Sequence, residues 1–131
     1  VEGRGETILL VEDEEKVRDA TQQILETHGY RILTAANGRE ALALCQSPRW
    51  SGDPSPIDLV VSDLVMPEMS GGDLMRELRK TRRNLQALAI TGYPLQEGDI
   101  RALRETGFAD VIRKPFEAHE LARLVRAILD T

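Results

Sequence analysis

The sequence predicts an alternating α/β domain, with a parallel sheet and helices packed on both of its faces. Three observations carry that prediction. Short, continuous apolar runs such as Ile8-Leu9-Leu10-Val11 have the length and the lack of alternation of strands buried on both faces. Between such runs lie segments whose apolar residues recur at helical spacing. The two kinds of segment take turns along the chain, five of each, and that order leads to parallel strands joined by right-handed crossovers.

The elements follow in order. After the first strand, Val17, Ala20, Thr21, Ile24 and Leu25 form the apolar side of a helix that Gly29 stops after His28. Arg31 to Ala35 is the second strand. Asn37, with Glu40 three residues later, is a capping pair that opens a helix carrying Ala41, Leu42, Leu44 and Cys45. Residues 47–56 have the Ser, Pro and Gly content of a loop, an insertion with Trp50 as a candidate contact residue. Ile57 to Ser62 is the third strand, and Ser70 with Asp73 caps a helix that turns Leu74, Met75 and Leu78 inward. Leu85 to Ile90 is the fourth strand, followed by a helix of Ile100, Ala102 and Leu103 that ends near Gly107. Asp110 to Arg113 is a short fifth strand. Leu121, Leu124, Val125, Ile128 and Leu129 then mark the clearest amphipathic helix.

A chain of 131 residues with 41% apolar and 30% charged residues is a single water-soluble domain, 1–131, in which residues 1–5 read as the remnant of a linker. The single Cys45 excludes an internal disulfide framework, fits a reducing compartment and reads as core packing. No apolar run approaches the roughly 18 residues of a membrane span, so the expected location is cytoplasmic, without membrane contact. A net charge of -5 disfavours direct binding to nucleic acid. The one basic run, Arg76, Arg79, Lys80, Arg82 and Arg83, reads as a solvated helix end that complements the helix dipole. His28 and His119 are too far apart for a helical metal pair and read as surface or helix-end residues.

In open parallel sheets, ligands bind beyond the carboxyl ends of the strands. Glu12 and Asp13 end the first strand, Asp63 the third, Thr91 the fourth and Lys114 the fifth, so these five positions converge on one edge. Two carboxylates about 4 Å apart repel by about 4 kcal/mol at an effective dielectric of about 20, so three in one crevice call for a cation or a raised pKa. A hard divalent ion such as Mg2+ takes oxygen ligands. Asp13 and Asp63 suit direct ligation, and Glu12 ligation through water. An aspartate beside such an ion can attack a phosphoryl group, with the Lys114 ammonium and the Thr91 hydroxyl stabilising the transferring oxygens. A dinucleotide fold would place glycines where Glu12 and Asp13 stand. A haloacid-dehalogenase-type phosphatase would carry its acids two residues apart on the first strand, whereas here they are adjacent.

Four segments in register, Ile8-Leu9-Leu10-Val11-Glu12-Asp13-Glu14, Asp63-Leu64-Val65-Met66-Pro67-Glu68-Met69-Ser70-Gly71, Ile90-Thr91-Gly92 and Lys114-Pro115-Phe116, resemble the receiver domain of two-component response regulators. The resemblance spans residues 6 to 130. It implies a flavodoxin-like (βα)5 three-layer sandwich with strand order 2-1-3-4-5. It also implies phosphorylation of Asp63 by a phosphohistidine, and Mg2+ or Mn2+ held by Glu12, Asp13, Asp63 and the backbone carbonyl of Val65. Thr91 and Lys114 would contact the phosphoryl group, Lys114-Pro115 would be cis, and the output would be a shift between two conformations. The implied partner is a histidine kinase or histidine phosphotransfer domain, with dimerisation through the face of the fourth helix, fifth strand and fifth helix. The parent chain would be a hybrid sensor histidine kinase with a C-terminal receiver, or a stand-alone regulator.

Two departures from the family pattern stand out. Val111 occupies the position, three before the motif lysine, where receivers carry Tyr or Phe, so the usual relay from threonine to aromatic is replaced by backbone movement after the fourth strand, where Gly92 gives freedom. Residues 47–56 form a longer loop than most receivers have. Val65 and Tyr93, each two residues past an active-site position, should flank the phosphoryl group and slow its loss to water. The leading function is thus a stoichiometric phosphoacceptor rather than a multi-turnover enzyme. The alternatives are a phosphorylation-independent interaction domain and a metal-dependent phosphohydrolase.

Overall fold

The computed structural model describes residues 3–52 and 54–131. Its elements run β1 (Thr7–Val11), α1 (Glu15–Thr27), β2 (Arg31–Ala35), α2 (Gly38–Gln46), β3 (Leu59–Asp63), α3 (Gly71–Arg79), β4 (Ala87–Thr91), α4 (Glu97–Glu105), β5 (Phe108–Arg113) and α5 (Ala118–Leu129). All strand pairs are parallel and the sheet order is β2-β1-β3-β4-β5, the flavodoxin-like order.

The strand period of two divides the core. Leu9, Val11, Val60, Ala87 and Ala89 point to the face covered by α2 and α3, where they meet Ala41, Cys45, Leu74, Met75 and Leu78. Ile8, Leu10, Leu59, Val61, Leu88 and Ile90 point to the other face and meet Leu25, Leu121, Val125 and Ile128 of α1 and α5. β1, β3 and β4 are buried throughout, which is why their sequences run apolar without alternation.

The caps behave as their residues dictate. Asn37 accepts a hydrogen bond from the Glu40 amide at 2.9 Å, and Ser70 accepts from the Asp73 amide at 3.1 Å. Gly29 and Gly107 adopt φ of 90° and 108° after α1 and α4, a conformation that costs glycine little.

Several expectations need correction. β3 and β4 begin at Leu59 and Ala87, two residues later than their apolar runs, because Ile57 and Leu85 are buried without entering the ladder. β5 begins earlier, at Phe108, with a register irregularity at Ala87/Leu88. Ala20 of α1 faces solvent rather than the core. Trp50 is turned inward against the α2–α3 core rather than offered as a contact residue, and the Arg49 guanidinium lies 5.0 Å from its ring centre.

Arg82 also departs from the reading of its run as solvated charge. Its guanidinium donates to the carbonyls of Cys45 at 2.7 Å and Trp50 at 3.1 Å, fastening the insertion to the end of α3. Residues 3–5, expected to be linker, are tied down as well: the amides of Gly3 and Gly5 donate to the carbonyls of His28 and Gly29. Cys45 is buried and free, as packing requires, and burial pushes its thiol up. Among the described residues, no helix is long and apolar enough to cross a membrane.

Candidate functional site

The carboxyl ends of β1, β3, β4 and β5 carry Glu12, Asp63, Thr91 and Lys114 to one edge, although Glu12 and Lys114 lie far apart in the chain. Backbone bonds set the edge: the Leu64 amide donates to Ile90 O at 3.0 Å, and the Lys114 amide to Thr91 O at 2.8 Å. The Lys114-Pro115 peptide is cis.

Lys114 is the centre of the site. Its Nζ lies 2.9 Å from Asp63 Oδ2, 2.9 Å from Glu12 Oε1 and 3.4 Å from Glu14 Oε1. Burial works against its charge, yet the contacts with Glu12 and Asp63 outweigh that and hold its pKa above the ordinary lysine value. Glu12 is completely buried. Burial pushes its carboxyl up to about 7, against the pull of the ammonium and of the Glu14 amide, which donates to Oε2 at 3.1 Å. The two groups thus pull one proton in opposite directions. A contact of 2.9 Å between Nζ and Oε1 favours the ionised pair, with Glu12 still above the ordinary carboxylate range.

Asp63 is 5% exposed, and both of its oxygens are held: Oδ2 by Lys114, Oδ1 by the Val65 amide at 3.2 Å. Close packing supports it from behind. A Cβ at Gly71, the first residue of α3, would collide with the Asp63 carbonyl, and the Gly71 amide donates to Leu64 O at 3.0 Å. The Thr91 hydroxyl is buried and accepts from the Tyr93 amide at 3.1 Å. Asp13 is exposed and lines the same shallow cavity of about 480 Å³ as Glu14, Asp63, Val65, Tyr93 and Lys114.

Among the described residues, Glu12, Glu14 and Asp63 each bring a carboxylate oxygen within 4.8 Å of the other two. Asp13 is not in that trio, so the structure draws Glu14 rather than Asp13 toward the ammonium. Sequence reasoning quoted Glu14 but gave it no role, because adjacency in a loop does not say which acid reaches the lysine. It also passed over Arg18, whose guanidinium donates to Glu12 O at 2.9 Å and steadies the acidic turn.

The donor set suits a hard divalent cation. It is all oxygen, and the buried Glu12 Oε1 has an ion-pair contact but no aligned hydrogen bond, leaving lone-pair capacity. Val111, partly buried, packs against the α2–α3 core.

Fold and edge together define an open, doubly wound α/β domain with an acidic crevice where its strands end. The response regulator receiver domain model matches residues 8–126, and the chain belongs to that family, the receivers of two-component signalling. Among similar proteins is the sensor kinase CckA of Brucella abortus, 39% identical over 95% of this chain and 12% of the relative. A probable transcriptional regulatory protein of Picosynechococcus is 37% identical over 93% of this chain and 48% of the relative. The chain therefore spans about half or less of the length of these relatives. The crystal structure of the receiver domain of sensor histidine kinase PA1611 from Pseudomonas aeruginosa, described with a magnesium ion in its active-site cleft, aligns with a TM-score of 0.80 at 28% identity, covering 97% of this chain and 99% of that one.

Proposed function

We propose that this receiver accepts one phosphoryl group on Asp63 from a phosphohistidine donor, in a reaction that requires a divalent cation, and that the acyl phosphate shifts the balance between two conformations. One observation carries the reading: Lys114 Nζ lies 2.9 Å from both Asp63 Oδ2 and Glu12 Oε1, so one ammonium links the acceptor to the most deeply buried acid. Asp63 is the group to accept phosphorus because its carboxylate is fixed in direction by Lys114 and the Val65 amide and still opens on the shared cavity. Lys114 would turn from the free carboxylates to the new phosphoryl oxygens, and the Thr91 hydroxyl would donate to them.

Glu12, Asp13, Asp63 and the Val65 carbonyl would hold Mg2+ or Mn2+, which when bound would neutralise charge on the transferring oxygens. The magnesium ion described in the active-site cleft of the PA1611 receiver supports a divalent ion in this crevice. The donor would be a histidine kinase or histidine phosphotransfer domain, and the resemblance to part of CckA favours a parent chain of the hybrid-kinase kind, acting in the cytoplasm. A dimer through α4, β5 and α5 belongs to the same proposal. With Val111 in place of an aromatic, the change would pass through the segment after β4, where the Tyr93 amide is bonded to the Thr91 hydroxyl.

Incubation with Mg2+ and a small phosphodonor, followed by intact-mass measurement, tests this. Addition of one phosphoryl group in the parent and none in Asp63→Asn is expected. No addition in the parent would favour a phosphorylation-independent interaction domain, and release of phosphate without addition a phosphohydrolase.

A further inference from the structure

Another cavity, of about 520 Å³, lies at the amino ends of β3 and β4, the edge of the sheet opposite Asp63 and Thr91. The insertion before β3 and the turn between α3 and β4 wall it, and its volume falls within the roughly 300–1,000 Å³ of small-molecule sites. Among the described residues lining it are two guanidiniums, those of Arg82 and Arg83, and one carboxylate, that of Asp58. Neither guanidinium has a carboxylate partner among the described residues. Arg82 is fixed by neutral groups alone: Nη2 donates to the carbonyls of Cys45 and Trp50, Nη1 to the Thr81 hydroxyl at 3.2 Å, and the buried Nε has no acceptor. Asp58 is held from another side, its Oδ2 accepting from the Thr7 amide at 2.8 Å.

Two like charges on one cavity repel, and an anion received there relieves both. A guanidinium pairs with phosphate oxygens through parallel hydrogen bonds, so a phosphate group suits this pair of arginines. A bare phosphate would leave most of the volume empty. The remaining wall is small and polar: the exposed Ser51 and Asn84 side chains and the second Asp58 oxygen are available to hydroxyl groups. Ile57 and Leu85 beneath are buried and offer little apolar surface, and no aromatic side chain is among the described residues of the lining, so a nucleotide base has nothing to stack on. We infer that this cavity binds a phosphate ester of a polyol, a sugar phosphate, with the phosphate on Arg82 and Arg83 and the hydroxyls on Ser51, Asn84 and Asp58. The ligand would join the insertion to the turn between α3 and β4, the same two segments that Arg82 already fastens. The site is separate from the acceptor crevice and stands whether or not Asp63 takes a phosphoryl group.

Titrating the intact domain, without a divalent ion, with ribose 5-phosphate, inorganic phosphate, ribose and adenosine 5′-monophosphate tests this, read by backbone amide NMR shifts. Ribose 5-phosphate should move the amide signals of Ser51, Asp58, Arg83 and Asn84 saturably, and bind about tenfold more tightly than inorganic phosphate or ribose. Arg83→Gln should weaken ribose 5-phosphate about tenfold. Its side chain is exposed, and the variant keeps the backbone carbonyl that Arg79 binds, so the fold is retained. Asn84→Ala should weaken ribose 5-phosphate and leave inorganic phosphate unchanged. No saturable shift at these four residues, shifts confined to Asp63, Thr91 and Lys114, or undiminished binding in Arg83→Gln would overturn the site. Inorganic phosphate binding as tightly as ribose 5-phosphate, or adenosine 5′-monophosphate binding more tightly, would overturn the sugar phosphate as its ligand.

Discussion

α3 and α4 are both nine residues long and follow the two strands that end in Asp63 and Thr91, yet they are attached to the molecule in different ways. α3 buries Gly71, Leu74, Met75 and Leu78, and its first residue is pressed against the Asp63 carbonyl. α4 buries no residue; Ile100 and Leu103 are only partly covered. The two apolar side chains that line the cavity over Asp63 inherit this contrast, since Val65 precedes the anchored helix and Tyr93 the loosely held one. The difference teaches where a shift would go if, as proposed, Asp63 takes a phosphoryl group. The Asp63 side is a fixed frame, and the thinly packed side is easy to move, since segments with few buried apolar contacts open at low free energy.

The largest expected effect breaks the contrast at its source. Leu78→Ala in α3 should cost about 2–5 kcal/mol in denaturant unfolding, as for a fully buried leucine. Leu103→Ala in α4 should cost about 1 kcal/mol, in proportion to its partial burial. Equal losses would remove the distinction between the two helices.

A smaller effect concerns neither helix and serves to separate general from local stability. Glu6 is bound by Arg126 of α5 at 2.7 Å, and that hydrogen bond holds its carboxyl down, from 4.5 to about 2. A depressed pKa means stability that is present above pH 4.5 and lost as pH falls from there to about 2. With partial solvent screening the loss is about 1 kcal/mol, and Glu6→Gln should flatten that part of the profile of unfolding free energy against pH. The α3 to α4 difference should survive it.

The smallest effect sharpens the contrast at the cavity over Asp63. Val65→Asn should shorten the phosphoryl half-life by about threefold, or ~0.7 kcal/mol in barrier, by giving water a polar partner near the acyl phosphate. A half-life equal to or longer than the parent's would show that Val65 does not shield the site.

Most of the frame was legible in the sequence, and the particular residues say why. Ile8 to Val11 and Arg31 to Ala35 announce strands because parallel strands are apolar on both faces or bounded by turn residues, and Asn37 and Ser70 cap their helices through a local bond. Ile57 and Leu85 misled because burial and ladder pairing are separate conditions, and only the first is written in side-chain polarity. Arg82 misled because its partners, the carbonyls of Cys45 and Trp50, lie 37 and 32 residues away. At the edge, the positions of Glu12, Asp63, Thr91 and Lys114 follow from strand ends. The reach of the exposed Glu14 toward the ammonium depends on where the Lys114 side chain arrives from the far end of the chain, which no local pattern contains.

The alternation that sends Val60 to one face of the sheet and Val61 to the other has a mechanical consequence. The sheet is a partition, and neighbouring residues of β3 pack into separate cores, one with α2 and α3, the other with α1 and α5. A displacement at the end of β3 would therefore reach both cores, and two partners gripping opposite sides of this domain would each meet a different half of it.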